Sequence, residues 1–535
     1  MELKINQITQ DETIDLVLDT LKIGKQALVF VNTKRSAEKT AEDIAKFLKK
    51  SNVNKNEELA KEILNDLGKP TRQCERLAEI VKQGIAFHHA GLTSKQKELI
   101  QDNFRNGTVK IICCTPTLAS GIDLPAFRTI IKDLKRFGVR GYIYIPVLEY
   151  LQMSGRAGRP KYDTEGQSIV VTTTENEQEN IKHNYINGEA ESIISKLAVE
   201  PVLRTYVLSL VASNFVNSRE KLVSFFSKTF WAHQYEDMTK IEKIIDKMLH
   251  LLEDFDFIET KPNFGRAKMG SSRQSEIGKS DFVSASELND ELRATEIGKR
   301  VAQLYIDPLT AHEFITQIKK AEKTPSSFGL LHLISNTLEI RPKLNVKAKE
   351  YEEYTSLIVE KEEELLSKEP AEFEEDHDEF MNSIKTAAFF SDWIEEKDDE
   401  FLLDKFDVRP GESRAKIDLA DWLLYANEEL AKLIEKPSFA REVTKLRFRL
   451  KYGIKEELLP LVKLREIGRA RARRLFNNGI KDTGDVKTAD FAKLKFLIGE
   501  AAAKSIKEQV GEKVDIEIKP TKRKGQMSLN KFEKV

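Results

Sequence analysis

Short β-branched runs alternate with helical patterns in the first third of the chain. QALVFVN (26–32), VKIICCT (109–115), FRTIIKD (127–133) and QSIVVTT (167–173) carry apolar cores bounded by polar or turn-forming residues, which predicts buried strands. Between them, SAEKTAEDIAKFLKK (36–50) spaces its apolar residues three and four apart and predicts an amphipathic helix. Strands buried on both faces and separated by helices build an α/β layer on a mostly parallel sheet, so residues 1–178 read as one α/β domain. LKRFGVRGYIYIPVLEY (134–150) alternates apolar and polar residues around a glycine-containing centre and predicts a β-hairpin with a Gly-rich tip.

From residue 179 the pattern turns helical. Residues 179–310 end in FDFIETKPNF, of weak strand character, and the polar stretch GRAKMGSSRQSEIGKS, which together predict a small helical domain with a short hairpin. Residues 311–455 continue as helices, interrupted by EKEEELLSKEPAEFEEDHDEF (360–380), an acidic helix face or loop that repels phosphate. LVKLREIGRARARRLFNNGI (461–480) has the hxxhxG order of a helix-hairpin-helix: Leu464 and Ile467 pack the pair, and Gly468 opens the turn to a phosphate amid Arg469, Arg471 and Arg473. KLKFLIGEAAAKSI (493–506) reads as a degenerate second copy turning at Gly499, so 456–515 form one domain and the apolar-poor 516–535 a flexible tail.

Composition narrows this. A chain of 535 residues exceeds a single core of about 150 residues. Lys+Arg 86 against Asp+Glu 87 excludes a uniformly basic coat and makes any anion-binding surface local, the densest being the arginines and lysines of 441–474. Three cysteines supply neither a disulfide framework nor a CxxC-type zinc site, which fits a reducing, cytoplasmic setting. No apolar run reaches the ~18 residues of a membrane span, and the opening lacks the order of a signal peptide. No membrane partner is expected.

Two segments carry the chemistry. CCTPTLASGIDLPA (113–126) is a strand ending in a glycine turn with Asp123, which offers backbone N–H groups and a carboxylate at a sheet's C-terminal edge. QMSGRAGRP (152–160) sets Arg156 and Arg159 three apart, so on a helix they share a face and form a fork for phosphate oxygens, with Gly155 and Gly158 allowing close approach. His88 and His89 have no third and fourth ligand at metal-binding spacing, so no metal site is expected.

Together with VFVNTKRSAE (29–38), FHHAGL (87–92), ATEIGKRVAQLYIDP (294–308) and ADWLLYA (420–426), these motifs resemble the second motor domain and all that follows it in superfamily 2 DNA helicases of the Ski-like branch, the archaeal repair helicases related to the helicase half of polymerase theta. The resemblance implies a RecA-like motor domain over 1–178, a winged helix over 179–310, a helical ratchet domain over 311–455 and the helix-hairpin-helix domain over 456–515. It implies ATP-driven 3′-to-5′ movement on single-stranded and forked DNA, in repair and at stalled forks. By the same resemblance Arg159 is the arginine finger with Arg156 and Gln152 beside it, a role typically worth ~10³–10⁵ in rate. Gly121 and Asp123 belong to the nucleotide-linked turn, Phe137 and Tyr142 to a hairpin that parts the duplex, and His89 to a turn beside the DNA backbone. Trp422 stacks on a base from the ratchet helix; Ala415 stands where a basic residue is expected, with Arg414 and Lys416 on either side and Arg414 taken as the grip. Gln526, Leu529 and Phe532 are ordered as in a sliding-clamp peptide.

One departure matters more. No GxxxxGK[ST] loop occurs in the 535 residues. The first motor domain, which would hold ATP and Mg²⁺, is therefore expected on a separate chain, and a split gene, a truncation and an engineered fragment all fit. A DNA-binding adaptor without catalysis and an RNA helicase of the same superfamily are the rival readings, the helix-hairpin-helix arguing against RNA.

Overall fold

The computed structural model describes residues 5–48, 56–119, 124–138, 141–159, 163–235, 237–261, 291–371, 373–374 and 376–512. The chain divides into two compact units, 1–391 with 397–444, and 392–396 with 445–535.

The first unit opens on five parallel strands, β1 (Ala27–Phe30), β2 (Ile85–His88), β3 (Ile111–Cys114), β4 (Arg128–Ile131) and β7 (Gln167–Val170). They form one sheet in the order β2-β3-β1-β4-β7. All four residues of β1 to β4 are buried, as runs covered by helices on both faces must be. The register sets Ala27 opposite both Ile111 and Arg128. Strand β2 went unread in the sequence because only Ile85, Ala86 and Phe87 precede two histidines; pairing with β3 makes it a strand. The helix expected at 36–50 is α1 (Lys34–Leu48), which begins two residues earlier and buries Ala37, Ala41 and Ile44.

The predicted hairpin is β5 (Lys135–Gly138) against β6 (Gly141–Tyr144). It is shorter than expected. Pro146 caps a helix, α2 (Val147–Ser154), so VLEY is helical and not strand; Tyr150 and Met153, three apart, bury its inner face.

Beyond the sheet come α3 (Glu200–Ala212), α4 (Met238–Asp254), the antiparallel pair β8 (Ile258–Lys261) and β9 (Glu291–Ala294), and α5 (Glu296–Leu304), helices with one short hairpin as the pattern of 179–310 predicts. A Cβ at Gly298 would meet the Phe257 carbonyl oxygen at 1.9 Å, so α5 seats on the start of β8 only through a glycine. Asp307 caps α6 (Pro308–Lys320) and takes a two-pronged contact from buried Arg204, at 2.6 and 2.8 Å. The acidic stretch is helical at both ends, with helices reaching Lys361 and resuming at His377. Helix α7 (Pro410–Leu433) then runs 24 residues, burying Leu423 and Leu424 completely.

The second unit packs α8 (Arg469–Asn477), α9 (Phe491–Ile498) and α10 (Glu500–Gln509) on a core that includes Leu461, Leu475, Leu494 and Ile506. Leu464 and Ile467 are buried as expected. Gly468 is the N-cap of α8, and Gly499, at φ +88°, turns α9 into α10 where the second copy was placed.

Candidate functional site

The carboxyl ends of β1, β2 and β3 open onto a cleft of about 780 Å³, lined by Asn32, Ala90, Thr115, Thr117, Arg136 and Gln152 among others. In a parallel sheet this is the edge where strand ends and helix starts converge backbone N–H groups and short polar side chains on a ligand. Gln152 reaches it from α2, whose end is exposed there.

Arg156 and Arg159 do not share a helix face. Gly155 ends α2, and the chain then runs beside Ala126: the Ala126 N–H donates to the Arg156 carbonyl at 2.9 Å, and the Gly158 N–H to the Ala126 carbonyl at 2.6 Å. Gly158 takes φ +91°, a conformation that breaks any helical continuation. Arg156 donates through Nε to the Ala119 carbonyl at 3.0 Å. Arg159 donates through Nε to Asp163 Oδ2 at 2.7 Å and through Nη1 to Gln26 Oε1 at 2.5 Å. Gln26 is itself fixed by donating to the Phe104 and Val109 carbonyls, just before β1 begins. Arg159 thus sits at the amino end of the sheet, with Gln152 at the carboxyl end. Asp163 also pairs with Lys25 at 2.6 Å; the hydrogen bond from Arg159, followed by Lys25, outweighs burial and holds its carboxyl down to about 2. Gly121 and Asp123 lie outside the described residues.

His89 is corrected by its surroundings. Its side chain has no exposed surface, its ring stacks on Phe87, and its Nδ1 accepts the Gly91 N–H at 3.1 Å. A buried imidazole cannot reach a DNA backbone. Nε2 lies 3.2 Å from Oε1 of Glu38, which also accepts from Arg409 Nε at 3.0 Å, while Oε2 accepts from Arg76 at 2.7 Å. Burial pushes Glu38 up, but His89 and the Arg409 guanidinium prevail and hold it at about 2; burial keeps His89 low and neutral.

On the hairpin the Phe137 backbone pairs opposite Tyr142, a residue 77% exposed; the Phe137 side chain lies outside the described residues. Trp422 is half-buried on α7 and spends its indole N–H on the Leu304 carbonyl at 3.0 Å, while Arg414 is exposed two turns earlier. In the second unit the arginines diverge. Arg469 stacks over Trp393 at 5.1 Å, Arg473 pairs with Glu396 at 2.9 Å and Glu457 at 2.6 Å, and Arg471 stands exposed beside Gly468, donating to the Glu466 carbonyl. Gln526, Leu529 and Phe532 lie outside the described residues. Among the described residues no group of three or more His, Cys, Asp or Glu could hold a metal ion, and no helix is long and apolar enough to cross a membrane.

Asp163, Glu38 and Arg409 were not singled out in the sequence. Glu38 carried a signal: a charge on the buried edge of an amphipathic helix, beside Ala37 and Ala41, calls for a buried partner. Asp163 follows Arg159 by four residues and carries no signal of its own.

Residues 10–161 match the helicase conserved C-terminal domain, 166–259 a helix-turn-helix domain, and 328–453 the archaeal helicase domain 4. The chain is 38% identical over 523 residues to the ATP-dependent DNA helicase Hel308 of Methanocella arvoryzae, covering 96% of this chain and 66% of that protein. Its identity is 37% to the protein of that name from Pyrococcus horikoshii, covering 95% and 67%, and 34% to that from Methanococcus vannielii, covering 95% and 69%. It spans about two thirds of the length of these relatives.

Proposed function

The chain belongs to the family of ATP-dependent DNA helicases named Hel308, and from that premise we propose that it is the strand-gripping part of a 3′-to-5′ helicase acting on forked DNA. The observation that carries this is the cleft at the carboxyl edge of the sheet, with Gln152 on its wall and a hairpin bearing exposed Tyr142 following directly from β4. In this reading 1–178 is a RecA-like motor domain whose cleft guides the strand, and the hairpin holds the first base pair open. Trp422 and Arg414 meet the strand on α7, and Gly468 and Arg471 meet a phosphate, with Arg469 and Arg473 bracing the turn. The relatives are named as DNA helicases, which favours DNA over RNA.

ATP and Mg²⁺ do not fit the described residues: there is no metal-ligand cluster among them, and the sequence has no GxxxxGK[ST] loop. Both are assigned to a first motor domain outside these 535 residues. What these residues contribute is charge. Arg159 reaches a nucleotide by exchanging the Asp163 carboxylate for phosphate oxygens, and Arg156, fixed on the Ala119 carbonyl, holds the turn from which it moves. The 516–535 tail is proposed to dock a sliding clamp through Gln526, Leu529 and Phe532.

The test is reconstitution. The chain alone should hydrolyse ATP negligibly, and addition of a first motor domain should produce DNA-stimulated turnover that Arg159→Ala lowers by ~10³ or more. Robust hydrolysis by the chain alone would overturn the reading.

A further inference from the structure

The start of α7 is locked to the turn that follows β2. The Gly411 N–H donates to the Gly91 carbonyl at 3.1 Å. A Cβ on Gly411 would come within 2.1 Å of the Leu92 carbonyl oxygen, and one on Gly91 within 2.3 Å of Arg409 Cδ, so the two segments touch backbone to backbone with the Arg409 stem laid across the gap. Beyond it the Arg409 guanidinium, 8% exposed, reaches Glu38 on α1. Glu38 is held in turn by Arg76 and lies against His89. Outside this buried contact, Lys34 pairs with Glu412 and Arg35 with Asp407 at 2.7 Å. The sheet domain thus grips one helix end 371 positions away in sequence.

A buried ion pair is a poor device for stability alone, since desolvation offsets most of its attraction; its direction and reach instead specify one arrangement of the elements that carry it. We infer that Arg409 is a positioning residue: it fixes α7, and with it Trp422 and Arg414, to the strand ends of the sheet, so that helix and sheet shift as one body when the motor moves. The DNA role of α7 rests on the function proposed above; the joint does not. The cleft runs past the same place, since Arg409 and Asp407 lie on its wall with Ala90, which sets the strand-end wall and the start of α7 on one track.

The experiment uses the full chain with spin labels at Lys39→Cys on α1 and Asp418→Cys on α7, both exposed; Cys74, Cys113 and Cys114 are buried. The parent protein should give one narrow distance distribution. Arg409→Met should broaden it about twofold, the mark of an element with more than one arrangement, and should weaken binding of a labelled single-stranded oligonucleotide at least about fivefold, the lower end of what one stacked base contributes. Arg409→Lys keeps the charge but not the fork and should follow the Met variant in width; Gly411→Ala should shift the mean distance. An unchanged width in Arg409→Met and Arg409→Lys overturns the inference, as does a broadened width with unchanged affinity where Trp422→Ala itself lowers affinity. Trp422→Ala in the parent background separates the two readings. No loss of affinity there removes the DNA role of α7, and the label widths then decide the joint alone.

Discussion

At the scale of single residues, burial decides which charges work. His332 is completely buried, packs edge-on to Phe380 and lies 2.9 Å from Ser383 Oγ. Burial, then the nearby Lys343 charge, press its pKa down to about 3. The unfolded chain, with a histidine near 6.5, binds the proton that the folded chain refuses, so stability falls as pH drops below the unfolded value and goes on falling toward the folded one, by about 1.4 kcal/mol per pH unit. His88, at about 3 for the same reason, adds a second such slope. Replacing His332 by Asn should therefore flatten the decline of urea-unfolding stability across about pH 5 to 7 by one proton's worth, whatever it does to the stability at neutral pH. Parallel curves for parent and variant would show that the imidazole is charged in the folded protein. Asp163 has the same sign from a different cause: the hydrogen bond from Arg159 holds its carboxyl at about 2, so it stays ionised in all but strong acid and a competing anion is what frees the guanidinium.

At the scale of elements, the hairpin and the glycine-ended helices decide the geometry. Strand pairing sets the Phe137 backbone opposite Tyr142, whose face of the hairpin is exposed. If that face is the wedge, Phe137→Ala with Tyr142→Ala in a reconstituted motor should leave single-strand-stimulated ATPase intact and lower unwinding of a forked duplex, because melting needs an apolar surface to replace the base stacking broken at the junction. A fall in both together would make the hairpin structural. Helix α2 shows how an element misleads: the period of YIYIPVLEY reads as strand, yet Pro146 starts a helix, and Gly155 stops it before the arginines.

At the scale of the whole molecule, a net charge of -1 hides a division of labour. Residues 445–512 hold seventeen Lys and Arg against nine Asp and Glu, while 360–380 is acidic. Removing 456–535 should weaken single-strand binding and reduce its salt dependence by roughly one unit of slope for each phosphate that the deletion leaves unneutralised; an unchanged slope would place the phosphate-binding cations elsewhere. The reduction should be small, since Arg469 and Arg473 are committed to Trp393, Glu396 and Glu457.

The sequence by itself determined what periodicity and backbone chemistry encode. Four of the five parallel strands, the hairpin, the amphipathic α1 and the glycine turns at 468 and 499 were all legible, because each is specified by residues within a few positions of one another. Tertiary structure alone decided which partner each polar group found. It buried His89 against Glu38, brought Arg409 to Glu38 across 371 residues, turned Arg159 onto Asp163 and Gln26, and left Arg471 exposed while Arg469 turned onto Trp393 and Arg473 onto Glu396. A pattern of hydrophobic positions states which side of an element must be covered. It carries no record of what covers it, and the energy of a buried charge depends on that neighbour.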